Sequence, residues 1–96
     1  MKVYISGPMT GYPELNFPAF FKMEDVLKRN GWEILNPARN PKQESWSDYM
    51  RIDIKMLMDA DSILMLKGWE NSNGAKIELD LASKIGIERI YLKMEG

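Results

Sequence analysis

Two carboxylates stand where apolar side chains are expected. In "WENSNGAKIELDLASKIG" (residues 69–86), Ala75, Ile77, Leu79, Leu81, Ala82 and Ile85 gather on one broad arc when wound at about 100° per residue. Lys76, Asp80, Ser83 and Lys84 fill the opposite arc. Glu78 falls near the centre of the apolar arc, with Ala75, Leu81 and Ala82 three and four residues away. The stretch 46–59 repeats the pattern. Trp46, Tyr49, Met50, Ile52, Ile54, Met56, Leu57 and Met58 form its apolar arc, and Asp53 sits in the middle of it. An unpartnered buried carboxylate is costly, so each acid needs a reason to be there. For one acid alone, a structural ion pair is the simplest reason. Two, on different helices of one small domain, shift the odds toward carboxylate chemistry in a site near the sheet's edge.

The rest of the composition narrows that chemistry. The 96 residues include no Cys and no His, which excludes disulfides, thiol nucleophiles, a histidine base and most zinc sites. No metal or organic cofactor is expected. Lys plus Arg is 13 and Asp plus Glu is 14, so no basic surplus marks a nucleic-acid surface. No apolar run approaches the ~20 residues of a membrane span. Met1-Lys2 leads directly into "VYIS", which reads as structure and not as a signal peptide, so a cytoplasmic protein is expected. The length suits one domain over residues 1–96.

These acids must be carried by regular elements. "KVYIS" (2–6), "WEIL" (32–35), "SILML" (62–66) and "RIYLK" (89–93) read as strands, bounded by Gly, Pro and Asn. Helices are expected over about 17–30, 46–59 and 74–84, with Asn16 capping the first and Gly31 and Gly86 closing the first and third. Alternation of this kind predicts an α/β fold: a parallel sheet with right-handed crossovers, helices on both faces and flavodoxin-like strand order 2-1-3-4. In such sheets ligands bind beyond the carboxyl ends of the strands, near the switch between strands 1 and 3. The loops there are "GPMTGYPELN" and "KGWENSNG".

Both loops suit a pocket. Gly7 allows close backbone approach, and Tyr4, Ser6, Met9 and Thr10 are placed to wall a small cavity; for Tyr4, sheet packing is an equal alternative. Gly74 lets a ligand approach the backbone, and the free amides at the start of the third helix can bind an anion. Alone, "NSNG" is an ordinary helix cap; beside an inward Glu78 it reads as part of a pocket. Glu78 is expected in the first turn or so, where the helix dipole would keep it ionised at neutral pH. Asp61, at the opposite end of the sheet, is expected to cap structure. Phe17, Phe20, Phe21 and Trp32 are expected to pack the first helix against strand 2, and the eight Met residues to fill the core.

The runs "KVYISGPMTG", "RIDIKMLMDADSILML" and "GWENSNGAKIELDLA" resemble the nucleoside 2-deoxyribosyltransferase-like superfamily, in particular its small bacterial and phage branch. The resemblance covers nearly the whole chain. It implies that Glu78 is the nucleophile on a sugar C1′ and that Asp53 handles the proton of the leaving base. It implies that Tyr4 lies in the pocket and helps place the nucleophile. Ser72, six residues before Glu78, matches a position that contacts a 5′-phosphate in the branch hydrolysing deoxynucleoside monophosphates, which leans toward a nucleotide substrate. Gly74 matches the glycine before the helix. A homodimer or larger homo-oligomer is implied, with a deoxynucleoside or deoxynucleotide as the small-molecule partner and neither nucleic acid nor membrane. The alternative is a non-catalytic nucleotide-binding module on the same fold. A lysine-decarboxylase-like phosphoribohydrolase would need a P-G-G-x-G-T-x-x-E run, of which the chain holds only the tail "GAKIE".

Overall fold

The computed structural model describes residues 1–92. Four parallel strands, β1 (Lys2–Ser6), β2 (Glu33–Leu35), β3 (Ser62–Met65) and β4 (Glu88–Tyr91), lie in the order β2-β1-β3-β4. Three helices alternate with them: α1 (Phe17–Arg29), α2 (Trp46–Leu57) and α3 (Asn73–Lys84). Short 3₁₀ turns at Pro13–Asn16, Pro37–Arg39 and Trp69–Asn71 shape the loops. The chain winds one way from β1 to β2 and the other way from β2 through β3 to β4. Right-handed crossovers therefore put α1 on one face and α2 with α3 on the other. The flavodoxin-like α/β expectation holds.

The central strand divides the core by its period of two. Val3 and Ile5 join Phe20, Leu27, Leu64 and Leu66 under α1. Tyr4 joins Leu57, Ile63, Met65, Ala75 and Ala82 under α2 and α3. Tyr4 and Ser6, two residues apart on β1, are thereby both turned toward the helix pair that carries the two unusual acids. Register places Tyr4 beside Ile63 and Ser6 beside Met65, so both sit toward the carboxyl end of the sheet.

Several boundaries differ from expectation for local reasons. Trp32 is spent on closing α1: its N–H bonds Leu27 O at 3.1 Å while Gly31 N–H bonds Lys28 O at 3.1 Å, with Gly31 at φ +85°. This is the Schellman closure, and β2 begins one residue later. Asn16 does not cap α1. It sits at φ 61° after Glu14 and Leu15 at 53° and 54°, and its amide instead donates to Pro8 O at 2.9 Å. The apolar arcs are also narrower than the helical wheel suggests. Trp46, Met58, Ile77 and Ile85 are exposed, because a helix lying on one sheet buries a single stripe. That stripe is Met50, Asp53 and Leu57 in α2, and Ala75, Glu78 and Ala82 in α3. Lys93, expected in the fourth strand, lies outside the described residues. Phe20 is buried and Phe17 and Trp32 pack against its cluster, while Phe21 is partly exposed beneath the Arg39 guanidinium. Asp61 anchors the far end of the sheet, accepting a 2.8 Å bond from Lys2 N–H.

Candidate active site

Glu78 is 5% exposed, and both of its oxygens are held from β1. The Tyr4 hydroxyl donates to Oε2 at 2.8 Å and the Ser6 hydroxyl donates to Oε1 at 2.7 Å. Two donors two residues apart on one strand fix the plane of the carboxylate. Tyr4 is itself fully buried, so this arm has no slack. Asp53, on α2, is 8% exposed and accepts a 3.0 Å bond from the Asn40 side-chain amide at Oδ1. Both acids line one open cleft of about 700 Å³. Tyr4, Ser6, Gly7, Met9 and Thr10 contribute to its wall from the β1 side, and Ser72 and Gly74 from the start of α3.

Burial sets the electrostatics. It pushes Glu78 up to about 7, against the pull of the Ser6 and Tyr4 hydroxyls, and nearby Asp53 adds to the rise. Burial pushes Asp53 up to about 6, against the pull of the Asn40 amide. Tyr4 is raised well above the ordinary tyrosine range, first by burial and then by the charges of Glu78 and Asp53, so it remains a donor. Contrary to expectation, the helix start does not keep Glu78 fully ionised at neutral pH. Glu78 is the sixth residue of α3, beyond the first turn where the dipole acts, and desolvation wins. Between about pH 6 and 7 the two acids together hold close to one proton.

The loop residues have structural duties as well. Ser72 is the N-cap of α3, its hydroxyl accepting from Ala75 N–H at 3.2 Å. A Cβ on Gly74 would stand 3.1 Å from Met50 Sδ, so the glycine lets α2 and α3 approach each other beside the cleft. A Cβ on Gly7 would meet Leu66 Cβ at 2.7 Å, so this glycine serves packing of the β1 end against β3.

The sequence profile of the family described as a domain of unknown function, DUF4406, matches residues 1–91. The chain belongs to the DUF4406 family. No curated protein matches it. Among solved structures, the 2-desoxiribosyltransferase from Leishmania mexicana shares the fold at a TM-score of 0.76 and 19% identity, over 98% of this chain and 65% of that one. The DUF4406 chain thus spans 65% of the length of that relative.

Three groups of residues in the DUF4406 chain escaped sequence reading. Tyr12, Leu15 and Trp46 line the cleft while remaining 43%, 43% and 51% exposed, which puts them at its mouth. Asn40, from a loop that reads only as irregular, is the hydrogen-bond partner of Asp53. Glu24 is a third inward acid, between Phe20 and Leu27 on the buried stripe of α1. Its two oxygens meet the Arg39 guanidinium, with Nε at 2.8 Å from Oε1, and these bonds hold its carboxyl below the usual range. Glu24 is the paired structural acid that Glu78 and Asp53 are not. No helix among the described residues is long and apolar enough to cross a membrane.

Proposed function

We propose that this domain cleaves or transfers at the N-glycosidic bond of a 2′-deoxynucleoside or its 5′-monophosphate, through a covalent deoxyribosyl ester on Glu78. The observation that carries this reading is the carboxylate of Glu78, buried in a cleft wall, held by two hydroxyl donors and given no cationic partner in its hydrogen bonds. A nucleophilic carboxylate needs that orientation and must remain free to form a bond to carbon. The likeness to a 2-desoxiribosyltransferase fold is consistent with it.

In the first step ionised Glu78 attacks C1′ and the C1′–N bond breaks. Asp53, protonated, gives its proton to the departing base. In the second step Asp53, now a carboxylate, takes a proton from water or from an acceptor base, which displaces Glu78 from C1′. This is the two-carboxylate logic of a retaining glycosidase. Tyr4 and Ser6 hold the nucleophile throughout. The exposed aromatic faces of Tyr12 and Trp46 suit a flat base at the mouth of the cleft. Glu78 holds its proton more tightly than Asp53, so the form with Glu78 ionised and Asp53 protonated is the minority tautomer; its share peaks between about pH 6 and 7, and kcat/KM should follow a bell centred there.

The test is incubation with a panel of deoxynucleosides and their 5′-monophosphates, following free base by chromatography. Base release by the wild type and its loss in Glu78→Ala supports the reading. Ligand-dependent thermal stabilisation with no base release from any substrate would replace it with a non-catalytic nucleotide-binding module.

A further inference from the structure

Among the described residues, the side-chain donor to Asp53 comes from neither its own helix nor the sheet: it is Asn40, thirteen residues earlier, on the segment between β2 and α2. That segment is short of regular structure yet firmly built. Asn36 Oδ1 accepts from Ala38 N–H at 3.0 Å, and the backbone closes with Arg39 N–H to Asn36 O at 3.1 Å and Asn40 N–H to Pro37 O at 3.0 Å. Pro37 and Ala38 are buried. Arg39 then reaches to the α1 face, where its guanidinium meets both oxygens of buried Glu24 and lies over the Phe21 ring at 4.9 Å. The loop is pinned on one face of the sheet by residue 39, and residue 40 reaches the acid on the other face.

We propose that Asn40 is a positioning residue for Asp53, fixing which carboxylate oxygen carries the transferable proton, and that the Glu24–Arg39 pair holds Asn40 in register. The inference rests on the proposed glycosidic chemistry for its catalytic consequence. Its physical basis is directional. The carbonyl oxygen of a carboxylic acid accepts a hydrogen bond better than its hydroxyl oxygen, so the Asn40 bond favours Oδ1 as the carbonyl oxygen. When Asp53 is protonated, the bond thus directs the proton to Oδ2. As the C1′–N bond breaks, that proton passes to the base nitrogen, and the new carboxylate keeps the Asn40 bond, which strengthens as Oδ1 gains charge. The other titratable groups around Asp53 are Tyr4 from β1 and Glu78 from α3, with Tyr12, Glu44 and Tyr49 on the same cleft wall. Burial opposes ionisation of Asp53, and the Asn40 amide opposes burial.

Two measurements test this, and they fail separately. The first needs no turnover: the Asp53 carboxyl is titrated by carbon-13 NMR in the wild type, Asn40→Ala and the near-isosteric Asn40→Asp. The midpoint should rise by about one pH unit in Asn40→Ala, and further in Asn40→Asp where a carboxylate replaces the donor. An Asp53 midpoint unmoved in both variants overturns the proposal, whatever the substrate proves to be. The second reads the catalytic role. Asn40→Ala should lower kcat about tenfold or more on natural deoxynucleosides with KM little changed. It should cost less than about twofold on a 2-deoxyriboside whose leaving group departs as a stable nitrophenolate and needs no proton. Equal losses on both substrates would mean that Asn40 merely supports the fold, and would overturn the positioning role.

Discussion

Replacing Glu78 by Gln should make this protein more stable at alkaline pH and less stable at acid pH. Glu78 rises from 4.5 to about 7 on folding, so the folded state binds its proton more tightly than the unfolded chain does. For a raised carboxyl the stability is fully present below the unfolded value and is lost as pH climbs through the folded one. The window is therefore about pH 4.5 to 7, levelling off near pH 8. At about 1.4 kcal/mol per tenfold change in proton affinity, the lift from 4.5 to about 7 amounts to about 3 kcal/mol lost by the wild type. Glu78→Gln keeps the shape and removes the titration. It also swaps one acceptor oxygen for an NH₂ donor, so one of the Tyr4 and Ser6 hydroxyls must turn and accept, at a cost of about 1 kcal/mol. The variant should thus be about 1 kcal/mol less stable than wild type at pH 4 and about 2 kcal/mol more stable at pH 8. At roughly 4 °C or more per kcal/mol for a domain of this size, the crossover in Tm spans on the order of 10 °C. Thermal melts of both proteins at half-unit steps from pH 4 to 8.5 measure it. Two parallel curves would refute the argument that desolvation dominates at Glu78.

Tyr4→Phe removes one of the two donors that lower Glu78, so the alkaline limb of the rate profile should move upward and kcat/KM should fall about tenfold at pH 6.5, read by pH-dependent base release. Ser72→Ala deletes the cap of α3 and should cost about 1 kcal/mol in urea denaturation; a further rise in KM confined to monophosphates would assign the 5′-phosphate to this position. Gly74→Ala should cost about 1 kcal/mol or less, because its new methyl meets the flexible Met50 thioether and not backbone.

The layout of the fold was legible because its signals are local. Short apolar runs alternate with amphipathic ones, and that order, with right-handed crossovers, leaves few ways to arrange the sheet. The two inward acids were legible for the same reason: a helical wheel needs only neighbours at three and four residues. What was lost depends on long-range partners. Glu24 breaks the apolar stripe of α1 as plainly as Glu78 breaks that of α3, but only the position of Arg39, fifteen residues on, marks it as paired. Asn40 sits in an irregular loop whose aim is set by that same pair. The charge state of Glu78 was misread because the helix begins at Asn73, which puts the acid past the first turn. Depth of burial, which decides the matter, is a property of the packed sheet. Asn16 shows the converse: a good capping residue was overruled by a loop that turns through three left-handed residues.

Acid quenching during turnover of a deoxynucleoside, followed by peptide mass spectrometry, is the most direct test of a covalent bond between Glu78 and the sugar. A deoxyribosyl adduct is expected on the peptide containing Glu78, absent from Glu78→Gln. Base release at the wild-type rate by Glu78→Gln, with no adduct on any carboxylate of the cleft, would contradict it.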